Sequence, residues 1–177
     1  MKKFLALAFL LISAAGLQAA DAHFFQASLT PDIALYAKTN EIRGITLDIW
    51  GENPQHSFNL GFLNGSTGDS SGFSVGLVNY ADAYTGVDWS ILNLSKTSFT
   101  GWQAGMVNVS SGKFSGLQSG WVNLAQECHG LQLGLVNCSE KLHGVQVGLV
   151  NIANNNPWFK EFPDKLATGF PIANWSF

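Results

Sequence analysis

One eight-residue phrase recurs along the chain at a nearly fixed interval, and this period limits the folds that the chain can adopt. The phrase is G-x-x-x-[GS]-x-[VL]-N, and it is clearest where residues 130–151 read GLQLGLVNCSEKLHGVQVGLVN. Successive copies end in an asparagine 14 or 15 residues after the previous one. These asparagines are Asn64, Asn79, Asn93, Asn108, Asn123, Asn137 and Asn151. Such a period indicates a repeat architecture in which each unit packs on its neighbours.

Within each unit the residues alternate as they do in a β-strand. In residues 130–137, leucines occupy one face of the strand, while glycines and the glutamine occupy the other. A weaker segment follows the asparagine and contains a second apolar position two residues before the next glycine. Each unit is therefore predicted to hold a strong apolar strand, a bend near the asparagine and a return segment.

The repeated glycines, glutamines and asparagines are predicted to maintain the fold. Glycine permits bends and close packing, and stacked asparagines can bond to one another and to turn backbone. These structural positions are Gly72, Gly76, Asn79, Gly86, Asn93, Gly101, Gly105, Asn108, Gly116, Gly120, Asn123, Gly130, Gln132, Gly134, Asn137, Gly144, Gln146, Gly148 and Asn151.

Two all-β architectures fit the pattern. In a short β-solenoid, each unit is one coil, and equivalent residues stack about 4.8 Å apart. In a small up-and-down outer-membrane β-barrel, each unit is a strand and a turn. The single-unit period favours the solenoid, because a meander repeats every two strands. The ending PIANWSF, with Trp175 and Phe177 alternating, favours the barrel instead.

The ends of the chain differ from the repeat array. Residues 1–19 have the features of a secretory signal peptide: two lysines, an apolar core and small residues near the cleavage site, which could lie as late as residue 22. Residues 23–56 are predicted to form an N-terminal β cap, residues 57–153 the repeat array, and residues 154–177 a C-terminal cap. We expect an exported protein of the outer membrane, cell surface or periplasm.

Charge excludes one class of partner. Removing residues 1–19 takes away two lysines and no acidic residue, so the net charge changes from −3 to −5. A chain with few charges and no basic cluster is not expected to bind nucleic acid. No sequence feature indicates a cofactor, and the identity of any ligand stays open.

The repeat and the chain ending together resemble a family of exported bacterial surface-repeat proteins. The units GLQLGLVN and GVQVGLVN and the ending PIANWSF carry the resemblance, which runs from about residue 28 to residue 177. It implies a surface location and a repeat architecture more than an activity. The middle units depart from the pattern, since Asp88 replaces glutamine and Ser90 replaces the second glycine. A glutamine position that tolerates change is typical of a structural role.

Candidates for chemistry are few. His129 and His143 occupy equivalent positions in successive units, but two imidazoles without a nearby carboxylate make a poor metal site. Cys128 and Cys138 replace apolar residues of other units, so small packed side chains are favoured over a disulfide. The acidic residues are scattered over non-equivalent positions, so we expect no enzyme, although some carbohydrate-active enzymes are solenoids.

Three tryptophans offer the best functional hint. Trp89, Trp102 and Trp121 stand at strand positions that leucine or valine holds in other units. They are expected either to fill a wider section of the core or to form a binding strip for glycans, partners or lipid headgroups. The expected function is a non-enzymatic envelope repeat protein with a structural or binding role. The alternatives are an outer-membrane barrel and an adhesin or glycan-binding module that uses the tryptophans.

Overall fold

The computed structural model describes residues 22–177, so the predicted signal peptide at 1–19 lies outside the described residues. The described residues form ten β-strands and no helix. The strands are β1 (His23–Thr30), β2 (Ile33–Ala34), β3 (Ile42–Asn53), β4 (His56–Val75), β5 (Val78–Trp89), β6 (Leu92–Ala104), β7 (Val107–Ser119), β8 (Val122–Leu133), β9 (Val136–Ala153) and β10 (Gly169–Ser176).

All ten strands belong to one sheet, in the order β10-β9-β8-β7-β6-β5-β4-β3-β1-β2. Every pairing between neighbours from β1 to β9 is parallel, and only β2 and β10 pair antiparallel to theirs. The chain therefore winds as a β-solenoid of about seven turns. This confirms the predicted fold class. The up-and-down alternative is wrong, because it requires antiparallel neighbours throughout.

Equivalent residues of the repeat stack directly on one another. Asn108 pairs with Asn123, and Gly116 pairs with Gly130, in the register of β7 and β8. The register shifts once between these strands, between Ser110 and Lys113. The shift takes up the difference between units of 14 and 15 residues at a corner, so the rest of each coil stays in register.

Each coil has three sides, which we describe for residues 117–129. The first side is 117–120, the second is 121–125 and the third is 126–129. A bend at Gly120 and Trp121 separates the first two sides. Two consecutive outward residues at 126–127 mark the next corner, and Gly130 leads into the following coil. Inward residues come from all three sides: Gln118, Asn123, Ala125 and Cys128 are buried.

Two ladders of side-chain amides run through the interior. Each asparagine from Asn64 to Asn137 donates from Nδ2 to Oδ1 of the next asparagine along the chain, over 2.8–3.3 Å. The glutamines donate in the opposite direction, from Gln146 through Gln132 and Gln118 to Gln103, over 2.7–2.8 Å. Buried amides are tolerated because they bond to one another. Since the two ladders point in opposite directions, their dipoles oppose each other.

The hydrophobic part of the interior comes from the return segment of each unit. Tyr84, Phe99 and Phe114 stack with ring centroids 5.7 and 5.8 Å apart, and Cys128 and Leu142 continue the column. All five side chains are at most 2% exposed. The second apolar position of the repeat therefore supplies the hydrophobic core.

One column of glycines is required by the close approach of successive coils. The members have φ between 131° and 149°, a region that favours glycine. A Cβ there would lie 1.9–2.1 Å from the carbonyl oxygen of the residue one coil earlier. These glycines are Gly72, Gly86, Gly101, Gly116, Gly130 and Gly144. No side chain fits in this column without opening the stack.

Both ends of the stack are partly covered. At the N-terminal end, β2 pairs with β1, and Gln26 exchanges two hydrogen bonds with the backbone of Tyr36. At the C-terminal end, β10 lies antiparallel to β9. The backbone of Leu166 and of Phe177 then donates across the outer edge of β10. These contacts cover part of each outer strand and so hinder the addition of further strands to the sheet.

Candidate functional site

The outer surface of the first two sides is apolar along the whole repeat array. We call this surface the apolar belt. Its positions form five ladders between residues 58 and 152, and none of them is a charged residue or histidine. The belt consists of Phe58, Leu60, Phe62, Leu63, Phe73, Val75, Leu77, Val78, Tyr80, Val87, Trp89, Ile91, Leu92, Leu94, Trp102, Ala104, Met106, Val107, Val109, Leu117, Ser119, Trp121, Val122, Leu124, Leu131, Leu133, Leu135, Val136, Cys138, Val145, Val147, Leu149, Val150 and Ile152.

The third side, which we call the charged side, holds the charges of the repeat array. Between residues 57 and 153, every charged residue and histidine lies on this side except Asp88, which points inward. They are Asp69, Asp82, Lys96, Lys113, Glu127, His129, Glu140, Lys141 and His143. Lys113, Glu127 and Lys141 stack in register, so charges of opposite sign alternate along the column. The solenoid is therefore amphipathic as a whole.

The three tryptophans singled out in the sequence all lie on the apolar belt. Trp89, Trp102 and Trp121 are 63%, 45% and 58% exposed. The expectation that they fill a wider core is therefore wrong. They occupy three different ladders in successive coils, so they are spread across the belt and do not form one column. Their use in binding stays a prediction.

One indole N–H on the belt and one beside it are paired within the protein. The Trp102 indole N–H donates to the Ser119 hydroxyl over 2.8 Å. The Trp50 indole N–H donates to the Tyr80 hydroxyl over 2.9 Å. Ser119 and Tyr80 carry the hydroxyl groups of the belt positions. The two hydroxyl groups of the belt therefore already accept hydrogen bonds within the protein, and the rest of the belt surface is apolar.

His129 and His143 stack on the charged side, with ring centroids 4.7 Å apart. The Glu127 carboxylate lies 2.6 Å from His129 Nε2, so a carboxylate is in fact near the pair. This contact could be predicted from the sequence, because Glu127 and His129 are two residues apart and such residues share a face of a strand. Among the described residues, no group of three or more histidine, cysteine or acidic side chains is placed to hold a metal ion.

Cys128 and Cys138 are free thiols in different parts of the coil. Cys128 lies in the hydrophobic column, where burial raises the pKa of its thiol to about 12. Cys138 lies on the apolar belt, stacked on Leu124, and partial burial raises its thiol pKa. A high thiol pKa disfavours the reactive thiolate, so neither cysteine has the surroundings of a nucleophile.

Asp88 is the one acidic residue of the repeat array that lies inside the coil. It is 1% exposed, and burial raises the pKa of its carboxyl to about 7. It pairs in register with Gln103, at the end of the glutamine ladder. Among the described residues, neither Asp88 Oδ1 nor Gln103 Nε2 has a hydrogen-bond partner. A carboxyl group therefore interrupts the amide interior at this coil.

An open groove of about 480 Å³ lies near the N-terminal end of the stack. Its walls are mainly apolar and include Leu29, Leu35, Leu47 and Leu60. Asp48 also lines the groove, and burial raises the pKa of its carboxyl. Leu60 belongs to the belt, so the groove extends the apolar surface toward the N-terminal end.

No protein-family model, curated protein or solved structure matches the chain. Within residues 22–177, the fold has no helix with the length and apolar character needed to cross a membrane.

Proposed function

We propose that this protein is an exported, non-enzymatic repeat protein of the cell envelope that acts by binding an apolar partner through the apolar belt. The observation that carries the proposal is the separation of the outer surface into an uncharged belt and a charged side. Monomeric proteins in water rarely expose an apolar patch larger than roughly 300–600 Å². Seven coils spaced about 4.8 Å apart, with four residues on the first side and five on the second at about 3.3 Å each, give a belt of roughly 1,000 Å².

Several further features support this function. The N-terminal residues have the pattern of a secretory signal peptide. The repeat phrase and the ending PIANWSF resemble those of exported surface-repeat proteins, and we propose that the chain belongs with them. The interior is occupied by amides and a narrow hydrophobic column that keep the coils together. The tryptophans at 89, 102 and 121 are part of the proposed binding surface, because they are exposed on the belt.

Cell fractionation tests the proposal. The chain, expressed with its own N-terminal residues, should be exported and recovered with the envelope. A belt variant with Ile91→Lys and Leu135→Lys adds two charges at positions that are 50% and 49% exposed. It should move to the soluble fraction of the exported pool.

A matched variant with Ser111→Lys and Gln126→Lys adds the same charge at exposed positions of the charged side. It should stay with the envelope. The proposed function is wrong if the parent is not exported, or if the belt variant stays with the envelope as the parent does.

A further inference from the structure

We infer that the partner of the apolar belt is the hydrocarbon of a single lipid leaflet, into which the solenoid inserts as a wedge with its stack axis parallel to the membrane. This inference rests on the proposed function and names the partner. A second copy of the chain is the competing occupant. Three features of the structure distinguish the two.

The first feature is the bend between the two belt sides. Gly120 and Trp121 form this bend in one coil, and residues 76–77, 90–91, 105–106 and 134–135 form it in others. The two sides therefore face in different directions. A second copy packed face to face would cover one side and leave the other in water. A fluid that surrounds the bend covers both sides at once.

The second feature is the direction of the backbone hydrogen bonds. Parallel pairing from β1 to β9 directs the N–H and C=O groups along the stack, toward neighbouring coils. The sides of the solenoid consequently present side chains without a row of unpaired backbone groups. Satisfied backbone groups are a strict requirement for contact with hydrocarbon. The outer strands of the sheet, β2 and β10, lie at the two ends of the stack and not on its sides.

The third feature is the depth and polarity of the wedge. The second side has five residues, which span roughly 16 Å at about 3.3 Å each. One leaflet contributes about half of a hydrocarbon core that is about 30 Å thick. The indole N–H of Trp102 is paired with the Ser119 hydroxyl, so this belt ring can leave water without an unpaired donor. The charged side would remain at the aqueous surface with its ion pairs, such as Lys96 with Asp82.

The test uses the purified chain and vesicles of zwitterionic phosphatidylcholine. The chain should float with the vesicles, and bromine atoms on the acyl chains should quench its tryptophan fluorescence. The variant with Ile91→Lys and Leu135→Lys should partition into vesicles at least about tenfold less, because lysine enters hydrocarbon unfavourably. The variant with Ser111→Lys and Gln126→Lys should partition as the parent does. Circular dichroism should confirm that all three chains are folded.

The outcomes separate this inference from the proposed function. If the parent does not float with vesicles, the leaflet inference is wrong. If it instead forms a dimer that the belt substitutions disrupt, the partner of the belt is a second copy of the chain. The leaflet inference then fails, but the proposal that the belt binds an apolar partner still holds. If the belt variant floats as well as the parent, insertion does not use the belt and the inference also fails. Envelope recovery of the belt variant, measured in cells, decides the proposed function independently.

Discussion

Replacing Asp88 with asparagine tests whether a carboxyl group in the amide interior makes the fold sensitive to pH. Burial raises the pKa of Asp88 from its ordinary 3.8 to about 7 in the folded chain. In the unfolded chain the carboxyl is in water and ionises at its ordinary pKa. Between these two values the folded chain holds a proton that the unfolded chain has lost. The free energy of unfolding therefore falls as the pH rises from about 4 to about 7, and this contribution is level above that range.

The size of the effect follows from the shift. Each pKa unit corresponds to about 1.4 kcal/mol, so the full contribution is about 4 kcal/mol. Of this, about 2–3 kcal/mol is lost between pH 5 and pH 8. Asparagine has nearly the same shape and does not ionise, so Asp88→Asn should remove this loss. Urea unfolding at the two pH values, followed by tryptophan fluorescence, measures the difference directly.

Asp82→Asn is the matched control. Asp82 lies on the charged side, where a hydrogen bond from Lys96 lowers the pKa of its carboxyl. Its titration therefore lies below this pH window, and the variant should lose as much stability between pH 5 and pH 8 as the parent. Equal pH dependence in the parent and in Asp88→Asn would refute the reasoning, because Asp88 would then ionise outside the window.

Three further predictions concern the stack itself, each measured as a change in the free energy of unfolding. Gly116→Ala should cost at least about 3 kcal/mol or prevent folding, because its Cβ would meet backbone at 2.1 Å. Gly68→Ala, also at positive φ but with open space around it, should cost only about 1–2 kcal/mol. Asn108→Ala should cost about 2–3 kcal/mol, because it removes the buried hydrogen bonds that Asn108 makes with Asn93 and Asn123. Phe114→Ala should cost about 3–5 kcal/mol, whereas Met106→Ala on the belt should cost less than about 1 kcal/mol.

The single-unit period of the sequence favoured the coil over the barrel, although the chain ending pointed to the barrel. Asparagines recur every 14 or 15 residues and each lies next to the same kind of bend, so the repeating unit is a single segment and not a pair of strands. Parallel stacking of such segments gives every unit the same surroundings. The asparagine ladder follows from the same fact, because identical residues at one position of each coil must lie on one another. The position of the extra residue in longer units did not follow, since the corner after Ser110 accepts it without disturbing the rest of the coil.

The alternation of the strand could not reveal which face points inward. Leucine and valine normally form the inner face, and on that assumption Trp102 and its equivalents are candidates for the core. In the structure, Gln103 is inside and fully buried. Its strand neighbour Trp102 must therefore point outward. The decisive signal lay in the return segment, where Phe99 and Phe114 supply an apolar column that makes an inner leucine face unnecessary.

The polar interior and the apolar exterior are two parts of one arrangement. A core held by the hydrophobic effect depends on water around the protein, and it gains little from burial when the surroundings are themselves hydrocarbon. Hydrogen bonds between buried amides do not depend on water in this way, and they strengthen where the local dielectric is low. A solenoid joined by asparagine and glutamine ladders keeps its coils together in either medium. The outer leucines, valines and tryptophans are then not needed to hold the fold, which leaves the belt available for contact with an apolar partner.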